Sequence, residues 1–189
     1  MNTSARLFGV AAALLVSLFA LSMLAVAAPD ATHQYIGASK CKMCHNSDKS
    51  GKQFDKWKDS KHSKAFDVLA TPAALEAGKK SGVTEPQKDP KCLKCHVTGY
   101  GAPATQLGEK YDAKEGVTCE ACHGAGGDYW KKETMEKCRK KEIDGTTVGL
   151  VAKPTEDACK KCHNPESPSY KEFKFDEYHS KIVHLIPKP

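Results

Sequence analysis

Beyond its first 28 residues the 189-residue chain has no long hydrophobic run, which excludes a protein that crosses a membrane several times. Aromatic residues are scarce at 7%, with two tryptophans. The apolar fraction of 40% overstates the material for a core, because residues 1–28 hold a disproportionate part of it. About a third of the remainder is apolar, and that third includes eight cysteines in a repeated motif, so an ordinary aliphatic core is not available to a domain of this size. Strand patterning is weak throughout, and something other than aliphatic side chains must fill the interior.

The N-terminal segment accounts for the skew. Arg6 precedes an uncharged run over residues 7–29 that ends in Ala25-Val26-Ala27-Ala28, the small-residue ending that signal peptidase accepts. This reads as a secretory signal over residues 1–28, cut after Ala27 or Ala28. The competing reading is a retained anchor, since the run is long enough to span a bilayer. No cysteine adjoins the cut, so lipid anchoring is not indicated. The expectation is a single domain over residues 29–189, periplasmic or extracellular, with no membrane insertion of the mature chain.

Eight of the nine cysteines form four copies of one pattern: Cys41-Lys42-Met43-Cys44-His45, Cys92-Leu93-Lys94-Cys95-His96, Cys119-Glu120-Ala121-Cys122-His123 and Cys159-Lys160-Lys161-Cys162-His163. This is the attachment signature of c-type haem. Two thiols at this spacing reach the two vinyl groups on one porphyrin edge, and the adjacent histidine falls beneath the iron as proximal ligand. Zinc ribbons and disulfides also use paired cysteines, but neither accounts for a histidine after every pair. The motif spacings of 51, 27 and 40 residues exclude a regular repeat.

Four covalently attached haem c groups resolve the missing core. The fold class expected is mostly α with extensive loops, a multihaem cytochrome c fold in which the haem cluster forms the core. At this density every haem lies close to another, which suits electron transfer. Lys and Arg number 29 against 23 Asp and Glu, a formal +6. Haem propionates compensate that excess, so it points to neither nucleic acid nor a membrane.

Beyond the motifs four histidines remain, His33, His62, His179 and His184, one per haem as distal ligands. Methionine is a poor substitute, because after residue 28 only Met43, inside the first motif, and Met135 are present. Over residues 53–69, Phe54, Trp57, His62, Ala65, Phe66 and Leu69 approximate one helical face, which suits the distal side of a haem. His179 and His184, five residues apart on a helix, would differ by about 140° around its axis and cannot face one haem; His184, beside Ile182 and Val183, is favoured. His33 follows the signal directly, where an unremarkable terminal histidine is the plain alternative. Residues 71–90 read as a connector. Residues 130–142 read as a short lysine-rich helix, either a solvated face or a docking surface, and Cys138 within it as a lone thiol.

Four stretches together resemble the cytochrome c-554 family of tetrahaem proteins: Tyr35-Ile36-Gly37-Ala38-Ser39-Lys40-Cys41, the Trp57, Ser60, His62 and Ala65 pattern, Cys95-His96-Val97-Thr98-Gly99-Tyr100-Gly101, and the run from Gly116 through Cys119-Glu120-Ala121-Cys122-His123 to Gly126. The resemblance implies a helical, haem-packed periplasmic electron carrier with three bis-histidine haems and one five-coordinate haem. It implies distal roles for His62 and for a C-terminal histidine, matched here by His184. One departure stands out. Where the family often has a histidine shortly after the third motif, this chain has Tyr129, and Ala125 replaces a proline. His33 or His179 would then supply the ligand, or one haem would be open.

Three functions follow from this reading. The first is a soluble electron carrier between redox protein partners, with no catalytic residues of its own. The second is a self-associating extracellular filament in which a histidine of one copy ligates a haem of the next. The third is a reductase of a small nitrogen oxide at a five-coordinate haem.

Overall fold

The computed structural model describes residues 33–187; the expected signal segment lies outside the described residues. Its helices are short: α1 Ala38–His45, α2 Gln53–Lys58, α3 Pro72–Lys80, α4 Pro90–His96, α5 Cys119–His123, α6 Lys132–Arg139, α7 Glu156–Lys160 and α8 Phe175–Ser180. None reaches the length at which a helix holds itself in water, so each depends on caps and on what it packs against. Among the described residues the only strand-like pairing is an isolated bridge between Tyr35 and Leu107. The mostly α, loop-rich class expected from sequence is what the chain adopts.

Local signals set the helix starts. Asp89 accepts the Lys91 amide at 2.8 Å ahead of Pro90, and Thr71 accepts the Ala74 amide at 3.3 Å ahead of Pro72. Both pair a polar N-cap with proline at the first helical position, where its missing N–H costs nothing.

Three expectations need correction. The single helix over residues 53–69 is broken. After α2 the buried Ser63 hydroxyl donates to the Lys58 and Ser60 carbonyls, at 2.7 and 3.0 Å, and the His62 amide donates to the Ser60 hydroxyl. Serine side chains thus compete for backbone groups that a continuous helix would use, and the chain proceeds as 3-10 turns at His62–Lys64 and Asp67–Ala70. Residues 71–90 are not a bare connector, because they contain α3. At the C-terminus α8 ends at Ser180, so His184 lies beyond it and the helical angle between His179 and His184 does not apply.

The aliphatic core is as small as composition demands. Among the described residues the buried apolar side chains are Ile36, Ala38, Ala65, Leu69, Val83, Val97, Tyr129 and Leu150. Polar ties do much of the positioning instead. Thr98 donates from its hydroxyl to the Gly116 carbonyl at 3.1 Å and accepts the Thr118 amide at 2.7 Å, joining the end of α4 to the start of α5. The Trp57 indole donates to the Val117 carbonyl at 2.8 Å, while the Val117 amide donates to the His62 carbonyl at 3.0 Å. The segment carrying His62 is therefore gripped on both sides of one residue just ahead of the third motif.

Candidate functional site

The first three motifs each end on a short helix: α1 carries Cys41, Cys44 and His45, α4 carries Cys92, Cys95 and His96, and α5 carries Cys119, Cys122 and His123. In the fourth motif α7 holds Cys159, while Cys162 and His163 lie in the turn that follows. All nine cysteines are unbridged. The motifs converge pairwise. The Cys41 thiol neighbours Cys119, whose interaction with it, together with burial, raises its pKa and keeps it protonated. Burial and the neighbouring Cys95 raise the Cys162 thiol to about 12. Burial, then Cys159 and Cys119, raise that of Cys122 to about 11. The spatial order of motifs is thus one, three, four, two, which differs from their order along the chain.

The motif histidines are oriented from behind. The Nδ1 of His96 donates to the Ala65 carbonyl at 2.6 Å and that of His123 to the Val151 carbonyl at 2.8 Å. A carbonyl only accepts, so the proton is on Nδ1 and the Nε2 lone pair is free for a metal. His45 Nδ1 is held in the same way by the Gln53 side-chain oxygen. Burial lowers the pKa of His62, His123 and His163, and His163 adds to the effect at His62. These rings are therefore kept neutral, as ligation requires.

Two of the four remaining histidines face motif histidines. His62 stands 6.0 Å from His163, ring centre to ring centre, with planes at 72°. His184 stands 5.9 Å from His123 with planes at 66°, and its Nδ1 donates to the Ile182 carbonyl at 2.9 Å. A metal–imidazole bond of about 2 Å on each side, with about 1.1 Å more to each ring centre, separates two opposed ligands by about 6 Å. The residues present thus fit an iron held between two imidazoles at the third and fourth motifs. The other two histidines are placed differently. His33 Nδ1 pairs with the Asp128 carboxylate at 2.6 Å, and His179 stacks on Phe175 at 5.0 Å. Neither stands opposite His45 or His96 at the spacing of the two pairs.

Sequence reasoning passed over Glu120, which occupies a variable position of the third motif and is 2% exposed. Its carboxylate accepts the amides of Ile36, Gly37 and Gly126 at 2.7–3.1 Å. It clamps the lead-in to motif one and the glycine-rich loop onto α5. Tyr129, at the position where the family often has histidine, is buried and donates its hydroxyl to the Gly124 carbonyl at 2.7 Å.

The chain is similar to known proteins in the same terms. The family described as "Cytochrome c554 and c-prime" matches residues 40–124. The protein named cytochrome c-554 of Nitrosomonas europaea is 32% identical over 202 residues, covering 89% of this chain and 80% of that protein. No solved structure matches.

Proposed function

The chain belongs to the cytochrome c-554 family, and from that premise we propose that it is a secreted tetrahaem cytochrome passing electrons between redox partner proteins. Membership makes it a c-type cytochrome with covalently bound haem c and a part in electron transfer. Haem c supplies a one-electron iron couple whose potential follows its axial ligands and surroundings.

On this reading the four cysteine pairs, from Cys41 and Cys44 to Cys159 and Cys162, form the thioethers. His45, His96, His123 and His163 are the proximal ligands. His62 completes the iron at motif four and His184 the iron at motif three. The observation that carries the assignment is the opposition of these imidazole pairs at 6.0 and 5.9 Å. His33 and His179 are the remaining candidates for motifs one and two. The order of motifs in space supports a continuous electron path from one through three and four to two. Secretion rests on residues 1–28 as a signal; among the described residues no helix is long and apolar enough to cross a membrane.

A second reading concerns motif two. Neither His33 nor His179 stands opposite His96, and a cavity of about 440 Å³ beside motif two is lined by Leu93, Val97, Phe66 and Tyr111 with Gln87 and Asp112, though not by Cys92, Cys95 or His96. An iron at His96 left without a second protein ligand would be open to a small ligand, as a reductase of a small nitrogen oxide requires.

Intact mass and EPR of the holoprotein test both readings. The carrier reading expects the chain from residue 28 or 29 onward with four haems added; a mass with fewer haems overturns it. A high-spin ferric signal with carbon monoxide binding to the reduced protein supports the open iron, and a wholly low-spin, CO-inert protein overturns it.

A further inference from the structure

Charge is spread unevenly along this chain. Residues 40–64 hold eight lysines against three aspartates, a formal +5 of the whole chain's +6. Residues 131–141 hold five lysines and one arginine against two glutamates, a further +4, which leaves −3 on the rest. The fold joins these two basic stretches, because the Lys40 ammonium lies over the Trp130 ring at 4.6 Å from its centroid, immediately before Lys131.

The junction falls on motif one. Lys40, Met43 and Cys44 are spaced to share a face of α1. Met43 is 71% exposed and Trp130 36%, and Cys44 is the one exposed cysteine of the eight in the motifs. At motif two Lys94 pairs with Glu166, and at motif four one of the two lysines, Lys160, pairs with Glu156 at 2.9 Å. Lys40 and Lys42 rest instead on the aromatic faces of Trp130 and Phe54.

Resting on the tetrahaem reading, we propose that the α1 face is the docking site for an acidic redox protein, and that motif one is the port through which electrons pass to or from it. An apolar centre of Met43 and Trp130 within a lysine rim has the anatomy of a small, transient interface. The partner it fits carries aspartate and glutamate around its own redox centre. Opposite charge then speeds encounter more than it adds affinity. Motifs two and four sit in smaller basic excesses, +3 over residues 79–94 and +1 over residues 153–161, so the joined stretches at motif one hold the largest concentration of positive charge.

The test is stopped-flow electron transfer between the holoprotein and a flavodoxin, used as the acidic probe, from about 10 to about 200 mM salt. The wild-type rate is expected to fall about tenfold or more over that range. Exchanging two exposed lysines that border Met43 and Trp130, Lys42→Glu with Lys131→Glu, slows the low-salt rate about fivefold or more and removes most of the salt dependence. Exchanging Lys171→Glu with Lys174→Glu, beside motif four, leaves the rate within about twofold of wild type. A wild-type rate in the first variant, an equal loss in the second, or a rate that rises with salt overturns the proposal. Intact mass of the same samples separates the two levels. Four haems with no effect of charge overturns the docking face alone, whereas fewer haems overturns the premise and the docking face with it.

Discussion

The Glu120 carboxylate and the Ile36 amide, far apart in sequence, meet in a buried hydrogen bond of 2.9 Å. The same carboxylate takes the Gly37 and Gly126 amides, so one side chain from inside a haem motif satisfies three backbone donors from two other segments. Glu120→Ala leaves those donors buried without an acceptor, and a loss on the order of 3–5 kcal/mol is expected in guanidinium unfolding followed by circular dichroism.

Glu120 also sets a pH dependence. Burial raises its pKa above the ordinary 4.5, so between 4.5 and the raised value the native state holds a proton that the unfolded chain has released. Stability from this residue is fully present below about pH 4.5 and is lost as pH rises through the native value. Glu115 is shifted in the same direction, chiefly by burial, so Glu120→Gln removes only part of the slope. The decline in unfolding free energy from pH 4.5 to 7 is expected to be shallower in that variant than in wild type. An equal or steeper decline would contradict the burial argument.

Replacing either distal candidate tests its pairing. His62 stands opposite His163 and His184 opposite His123. His62→Ala is expected to convert one low-spin ferric centre to high spin, and His184→Ala a different one, with the double variant showing both. His62→Met is expected to keep the centre low-spin at a higher potential, because Met/His ligation raises it. EPR with a spectroelectrochemical titration reads both effects. If the two single variants altered the same centre, the pairing would be wrong.

What the sequence made legible here was the chemistry fixed by local spacing. The four motifs could be located because two cysteines and a histidine within five positions are enough to define each. The thin core was legible in composition, whereas His62 was singled out on a helical face that the chain does not form. The break between Lys58 and His62 was not, because it depends on Ser63 finding carbonyls that a periodicity argument assigns to a helix. Glu120 was hidden by sitting at a motif position that any residue can occupy; its role appears only when Ile36 and Gly126 fold back onto it. Helix α3 had a readable start in Thr71-Pro72, but the lysines and glycines around it read as a linker. The opposition of His184 to His123 is a long-range fact with no local signal.

Trp57 and His62 hold Val117 from opposite sides, one through its carbonyl and the other through its amide. Trp57→Phe keeps the ring packing against Phe54 but leaves the Val117 carbonyl without its indole donor. A cost of about 1–2 kcal/mol follows, or a fall in Tm of about 3–6 °C for a domain of this size. Because the same residue seats His62, the variant is also expected to gain some of the high-spin signal seen in His62→Ala. A lowered Tm with an unchanged spin state would show that the indole only stabilises the fold.

Gly116 makes the seat of His62 possible, and a substitution at an uncrowded glycine gives a reference for its cost. Its φ is +75°, and a Cβ there would meet the His62 carbonyl oxygen at 2.9 Å and the Ala65 nitrogen at 3.1 Å, both backbone atoms that cannot swing aside. Gly82 has a similar φ of +70° with nothing within 4 Å of its Cβ position. Gly82→Ala therefore carries the conformational strain alone, about 1 kcal/mol. Gly116→Ala starts from φ +75° and ψ −135°, which disfavours a side chain more strongly, and must also push the His62 segment away from Val117, so its loss is expected to exceed that of Gly82→Ala by about 1–3 kcal/mol or more. Only Gly116→Ala should disturb the low-spin centre at motif four. Equal losses for the two variants, with both spin states intact, would mean that the His62 segment is free to shift and that its position does not depend on close backbone contact.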